Sequence, residues 1–376
     1  MAKTTVYINS SEQGEAGAGL HIYDLDMETG ELRLRESVKT LKQADYFNLH
    51  PTQKYLYAAS KINSAAVHSF AIGDDGGLTW LNSQAVRDNS PCYVSVDQSG
   101  RFLLATSYAS EGEGQGSSAV FPINEDGTLD PMSDYRQYAG SSTHPQRQQE
   151  SHPHMISQEP MGNQVIVPDL GTDKIMLHTL NTERGRFEET SHLDLAAGAG
   201  PRHAAFKPPY LYIIDELDDT ITAFAFAAEK RQYARLQTVP TLPENAADTM
   251  PLYPVDAHGG VLAPGSEPDH MASVNYPADL HVHPNGRFLY GSNRGHNSIV
   301  IYGIGEDGQL TLVDHASTLG NWPRNFEIDA SGRLLICANQ WSDDVVTFWV
   351  DADTGKLTPT GHKVSVYQPN CIKCLG

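Results

Sequence analysis

Seven copies of one four-strand unit recur along this chain, and they predict an all-β fold: a single seven-bladed β-propeller spanning residues 1–376, closed by its C-terminal strand. Three observations carry that expectation. A short apolar run returns seven times, an alternating apolar segment follows each run, and a proline-led register precedes most of the runs.

The recurring runs are Val6-Tyr7-Ile8, Leu56-Tyr57-Ala58, Leu103-Leu104-Ala105, Ile166-Val167-Pro168, Leu211-Tyr212-Ile213, Leu289-Tyr290-Gly291 and Leu335-Ile336-Cys337. Their first residues lie 50, 47, 63, 45, 78 and 46 positions apart, a basic period of about 46 with two insertions, in the range of propeller repeats. The segments that follow, such as Ala66–Ile72, Thr220–Phe226 and Ser298–Ile304, read as strands. Glycine turns then lead to a leucine, as in Gly77-Leu78, Gly308-Gln309-Leu310 and Gly355-Lys356-Leu357. Inserted stretches rich in Gly, Pro, Ser and Asp fall around 108–118, 135–151 and 237–276, where lids or partner surfaces commonly sit.

Ahead of the runs, Pro91-Cys92, Pro153-His154, Pro201-Arg202, Pro277-Ala278, Pro323-Arg324 and Pro369-Asn370 align, with Ala44-Asp45 in the remaining place. Proline donates no hydrogen bond and suits the first residue of a strand. The first unit has no such segment before Val6, whereas Gln368–Leu375 is a spare one at the other end. The C-terminal strand is therefore expected to complete the first blade and remove two open sheet edges.

Composition excludes several classes. Hydrophobic residues make up 39% and charged residues 19%, which suits a folded chain with a large core. The formal net charge of -20 opposes nucleic acid and anionic membranes, because both reward clustered Lys and Arg. Met1–Tyr7 carries no basic stretch followed by an apolar run, and no eighteen-residue apolar stretch occurs, so a cytoplasmic protein is expected. Cys371-Ile-Lys-Cys374 has C-x-x-C spacing but no second ligand pair, and no Walker, Rossmann or G-x-S-x-G pattern marks other chemistry. Neither a metal nor a cofactor is expected, and no oligomeric state is read from the sequence.

In a propeller the innermost strands line a central channel, so their starts and the ends of the returning strands share one face. The starts place Asp45, Cys92, His154, Arg202, Ala278, Arg324 and Asn370 there; the ends place Asp215-Glu216, Asn293-Arg294 and Asn339-Gln340. A scaffold would repeat one or two residue types at equivalent positions. Here three arginines, an imidazole and a carboxylate converge, which suits an anionic ligand or a developing oxyanion. The bland alternative is that Arg202 and Arg324 form structural ion pairs with Glu216 and Asp45. His154 and Glu216 are the acid/base candidates, with His152 the competing histidine outside the register. Most other histidines, His281 and His283 among them, read as surface or packing residues.

The motifs His152-Pro153-His154-Met155, Val167-Pro168-Asp169-Leu170-Gly171-Thr172-Asp173, Gly200-Pro201-Arg202-His203, Asp215-Glu216-Leu217, Gly291-Ser292-Asn293-Arg294-Gly295-His296 and Pro323-Arg324-Asn325-Phe326 together resemble the lactonase family of seven-bladed propellers. That family contains propeller-type 6-phosphogluconolactonases and 3-carboxy-cis,cis-muconate lactonizing enzymes, and the resemblance spans essentially the whole chain. It implies His154, Arg202, Arg294 and Glu216 as catalytic residues. Arg324 would be a further anion clamp, and Asn293, Asn339 and Gln340 would meet substrate hydroxyls. The leading expectation is a lactonase acting on a small anionic sugar lactone such as 6-phosphogluconolactone. A muconate cycloisomerase using the same residues is the alternative, and a non-catalytic propeller that binds protein partners through its rim is the second.

Overall fold

The computed structural model describes residues 3–10, 19–41, 44–61, 65–88, 90–109, 115–227 and 232–376. Its strands form seven four-stranded antiparallel sheets and one short hairpin. Each recurring apolar run lies within the second strand of a blade, and each alternating segment forms the third.

Burial follows position in the blade. The second strands are almost fully enclosed, Phe102–Ser107 along its whole length, whereas outer strands such as Leu78–Ala85 remain largely open to solvent. A strand covered on both faces by neighbouring blades needs apolar side chains on both, which is why these runs lose the alternation seen further out.

Repetition also fixes how blades meet. Tyr7, Tyr57, Tyr212 and Tyr290 each donate a hydroxyl hydrogen bond to a glycine carbonyl in the next blade's turn between third and fourth strands: Gly76 (2.8 Å), Gly127 (3.1 Å), Gly308 (3.0 Å) and Gly355 (2.7 Å). Each such bond contributes about 1 kcal/mol. At Gly127 the backbone adopts φ +83°, and a Cβ would lie 2.2 Å from the ring of Tyr55. Glycine is therefore required both by conformation and by contact.

The ring closes as the repeat implied. Ile372–Cys374 pairs antiparallel with Lys3–Asn9, with Ile8 opposite Ile372 and Val6 opposite Cys374. Asn9 locks the junction: its Oδ1 accepts hydrogen bonds from the Asn370 and Cys371 amides at 2.9 and 2.7 Å.

All three inserted stretches overlap blade strands at their ends. Asp134–Gln137 is the outer strand of blade three, so the departure there starts after Gln137; residues 237–240 likewise belong to the outer strand Gln232–Pro240. Within 108–118, residues 110–114 lie outside the described residues, and Ser117–Pro122 is a blade strand. The 237–276 stretch carries a helical turn, Ala246–Thr249, and a hairpin pairing Leu252–Val255 with His270–Ser273. Tyr253 of that hairpin donates to Asn321 Oδ1 at 2.7 Å and packs against Trp322 and Trp341, which stack at 3.7 Å.

Candidate active site

The proline-led register shapes the site through irregular pairing. In four blades the ladder slips immediately after the proline: between Pro91 and Tyr93, Pro201 and His203, Pro277 and Leu280, and Pro323 and Asn325. A bulge leaves an extra residue out of the ladder and re-aims its side chain. The bulged residues include Cys92, Arg202, Ala278 and Arg324. In blade four the inner strand is reduced to Ser157–Gln158, with an isolated bridge from Pro153 to Asp169, and His154 occupies the irregular stretch between them.

These side chains meet at one end of the channel. Asp45, Tyr46, Cys92, His154, Arg202, His203, Arg324, Asn325 and Asn370 line a narrow space of about 20 Å³, roughly the room needed by one water-sized group. Ala278 contributes its carbonyl, which accepts from Arg202 Nη1 at 2.6 Å.

Beside this space Glu216 gathers three guanidinium groups. Its Oε1 accepts from Arg147 Nη2 at 2.5 Å, and its Oε2 lies 2.8 Å from Arg202 Nε and 2.7 Å from Arg294 Nη2. The two contacts to Oε2 are ion-pair approaches without directed hydrogen bonds, since Oε2 and Arg202 Nε lack a hydrogen-bond partner among the described residues. Burial alone would raise the Glu216 carboxyl, but Arg294, Arg147 and Arg202 outweigh it and hold it well below the usual carboxylate range. Burial pushes Arg202, Arg294 and Arg324 down to about 10, so all three remain cationic at neutral pH.

Arg324 differs from the others. It lines the narrow space, yet no carboxylate lies within ion-pair distance of it among the described residues. Of the bland alternative's two ion pairs, Arg202–Glu216 forms and Arg324–Asp45 does not; Asp45 Oδ1 is instead 3.4 Å from Lys61 Nζ. Four cations against one triply paired carboxylate leave the site positive within a chain of net charge -20.

His154 is 7% exposed, and its Nδ1 has no hydrogen-bond partner among the described residues. Burial, then the nearby Arg202 and His203, keep its ring well below the ordinary imidazole range, so it is neutral and able to accept a proton. His152 points elsewhere: it stacks on Tyr108 at 4.2 Å, and its Nδ1 lies 3.0 Å from the Tyr108 carbonyl. Asp169 fixes this segment by accepting from the His152 amide at 2.7 Å and Ser151 Oγ at 2.7 Å. Gly171 permits the approach, because a Cβ there would come 1.8 Å from the Glu150 carbonyl oxygen.

Below Arg202 runs a second polar layer. His203 Nδ1 lies 2.8 Å from Asp279 Oδ1, and Asp279 Oδ2 also meets His281 Nε2 at 3.0 Å and the Asn325 amide at 2.5 Å. An ionised Asp279 requires the His203 proton on Nδ1, leaving Nε2 to accept from Arg202 Nη1 at 3.0 Å. His281 thus departs from the expected packing role, whereas His283 keeps it by bonding the Gly332 carbonyl at 2.8 Å.

The polar residues assigned to substrate hydroxyls also depart from expectation. Asn293 is fully buried, with its amide donating to the Thr241 carbonyl at 2.9 Å; Asn339 is fully buried, with its amide donating to Asp344 Oδ1 at 2.9 Å. Both satisfy blade corners, where an unpaired carbonyl or carboxylate would be costly. Gln340 is partly exposed and does not line the narrow space. Conversely, the sequence offered no register for Arg147, which arrives from the excursion after Gln137 and lies 5.6 Å over the ring of Tyr276. A wider cleft of about 650 Å³ lies off the channel, but Glu159 and Glu189 border it without an arginine or lysine, so it offers nothing to an anion.

Residues 5–374 match the family model described as Lactonase, 7-bladed beta-propeller. The chain is 32% identical over 380 residues to the 6-phosphogluconolactonase of Bacillus subtilis strain 168, covering 100% of this chain and 99% of that protein. It is 29% identical to the 6-phosphogluconolactonase of Formosa agariphila, over 94% of each chain. Among solved structures, a Lactobacillus plantarum protein superposes with a TM-score of 0.85 at 25% identity over 100% of both chains. A match of this extent, carried by the blade repeat from the first sheet to the closing strand, makes the chain a member of the lactonase family of seven-bladed β-propellers.

Proposed function

We propose that this protein hydrolyses an anionic sugar lactone of the 6-phosphogluconolactone kind at the channel end built from His154, Arg202, Arg294, Arg324 and Glu216. The observation that carries the reading is the pairing of a neutral imidazole whose Nδ1 has no hydrogen-bond partner with an arginine that has no carboxylate within ion-pair distance, both among the described residues and both lining one narrow space. The name borne by the Bacillus subtilis and Formosa agariphila relatives supports the choice of substrate.

In this reading His154 Nδ1 takes a proton from a water as that water attacks the lactone carbonyl. Arg324 and Arg202 face the oxygen on which negative charge develops, and a buried guanidinium stabilises such charge more strongly than water does. Glu216 is not the acid here, because three arginines hold it ionised, and both its oxygens are occupied by those arginines, which leaves neither open to a water proton. Its part is to fix Arg147, Arg202 and Arg294 in one cluster, so that Arg294 and Arg147 present a cationic rim to the substrate phosphate. The narrow space admits the carbonyl or the attacking water, with the sugar ring lying toward the rim.

Proton NMR of the purified protein with fresh 6-phosphogluconolactone tests this, with His154→Asn as control. Loss of the lactone signals faster than the blank, abolished in the control, is the expected result; loss at the blank rate would refute it. Formation of a lactone from 3-carboxy-cis,cis-muconate, with no effect on the phosphosugar, would replace hydrolysis by cyclisation.

A further inference from the structure

Opening a lactone creates two demands for protons. Water must lose one as it attacks, and the ring oxygen must gain one as its bond to the carbonyl carbon breaks. The residues placed so far supply a base and cations, and the one carboxylate among them is locked in its ionised form. The second demand therefore falls either to the imidazolium formed on His154 or to a separate acid lining the same space.

Asp45 occupies the equivalent register position of blade two, immediately before the inner strand Tyr46–Leu49. Its backbone is held by an amide hydrogen bond to the Ala59 carbonyl at 2.8 Å. The side chain lines the same narrow space as His154, Arg202 and Arg324 and is 12% exposed. Oδ1 faces Lys61, whereas Oδ2 is buried and has no hydrogen-bond partner among the described residues. Blade three, with Cys92, separates it from His154, so the group admitted to the space meets Asp45 and His154 on walls two blades apart.

We propose that Asp45 is the general acid of this site, giving the proton on Oδ2 to the ring oxygen of the lactone; the assignment rests on the lactonase reading. A buried carboxylate oxygen without a donor is costly, and carrying a proton relieves that cost. Burial raises the Asp45 carboxyl against the opposing pull of Lys61 and Arg324. Besides Lys61 and Arg324, the space holds the cationic Arg202 and uncharged groups: Asn370, Asn325, the neutral rings of His154 and His203, the Cys92 thiol, which burial pushes up to about 11, and Tyr46, which burial holds well above its ordinary value.

The step balances without any further reactant. A water proton passes to His154 Nδ1, and the water oxygen bonds to the carbonyl carbon. The bond from that carbon to the ring oxygen breaks, and the Oδ2 proton converts the departing oxygen to a hydroxyl. The new carboxylic acid loses its proton to solvent, and the imidazolium returns its proton through solvent to Asp45.

Three measurements on the full chain test the assignment. With fresh 6-phosphogluconolactone, Asp45→Asn should lower kcat about a hundredfold or more, the range for a lost acid/base group. Asp45→Glu should recover part of that loss. Phosphate binding by calorimetry should stay within about threefold of the parent, as the anion clamp is intact. The fall of kcat at high pH should vanish in Asp45→Asn, a change that a purely structural role would not produce. Independently of turnover, ¹³C NMR of aspartate-labelled protein should show one carboxyl, absent in Asp45→Asn, titrating clearly above the ordinary aspartate value of about 3.9. Retention of more than about a tenth of kcat by a folded Asp45→Asn, or an Asp45 signal titrating at or below that value, would overturn the proposal. A parent protein inactive on every lactone would remove the lactonase reading and the role with it, while the NMR titration would still report whether Asp45 holds a proton.

Discussion

Replacing Glu216 by glutamine is the sharpest probe of the arginine cluster. The change keeps the shape of the side chain but removes the charge that three guanidiniums approach at 2.5 to 2.8 Å, with Arg202 only 2% and Arg294 only 6% exposed. Breaking a buried ion pair by removing one partner costs about 3–5 kcal/mol, because the other charge stays buried and unpaired. An unfolding entropy of about 2.1 cal/mol/K per residue gives a chain of this length about 0.8 kcal/mol/K, so the midpoint should fall by about 4–6 °C. The sign with pH follows from the depressed Glu216 carboxyl. Its contribution is fully present above the unfolded value of about 4.3 and is lost as pH falls through the folded value, so the gap between parent and variant should hold from neutral pH to about pH 5 and close only in stronger acid. Thermal unfolding followed by circular dichroism measures this. Added phosphate should recover more stability in Glu216→Gln than in the parent, about 2.7 kcal/mol at a hundredfold excess over Kd, because the freed guanidiniums become an anion site. An unchanged midpoint, or equal phosphate effects on both proteins, would refute the argument that Glu216 is the ionised counter-charge of the cluster.

Four other outcomes are expected. His154→Asn should lower kcat by roughly 10²–10⁴ while leaving phosphate affinity nearly intact, as read by steady-state kinetics and calorimetry. In the parent, because burial and Arg202 hold His154 down, the acid limb of kcat/KM should fall below the ordinary histidine value of about 6.5; a limb at or above 6.5 would remove His154 as the base. Arg324→Gln should lower kcat by about 10- to 100-fold, the worth of a hydrogen bond to a charged group lost from the developing oxyanion, with little change in melting because no carboxylate among the described residues loses an ion-pair partner. Deleting residues 368–376 should abolish cooperative unfolding, since it removes the strand paired to Lys3–Asn9 and reopens two sheet edges; a truncated protein that melts like the parent would show that the closing strand is dispensable.

Much of the architecture can be read from the residues because propeller repeats make local pattern and global position the same thing. The apolar runs coincide with second strands since only those strands are covered on both faces, and the proline register coincides with the bulges since proline cannot serve the ladder. His154 could be preferred over His152 for the same reason: one falls on the register and the other two residues away. Even the spare segment at Gln368–Leu375 had a single vacant partner, the first blade.

What the one-dimensional pattern could not decide is which polar side chains are already spent. Asn293 and Asn339 occupy promising positions, yet their amides satisfy the Thr241 carbonyl and Asp344, partners distant or unremarkable in sequence. Arg147 was hidden in an excursion without period, and only folding carries it to Glu216, 69 residues away. That convergence changes the chemistry, turning a candidate acid/base carboxyl into the anchor of three arginines, while Asp45 Oδ2 faces the same space without a hydrogen-bond partner among the described residues. Periodicity and strand register sufficed to read the seven blades, their closure and the register residues His154, Arg202 and Arg324 at one channel end. Which of these groups meet, and what burial and opposing charge each one feels, came only with the fold, because those neighbours are supplied by other blades.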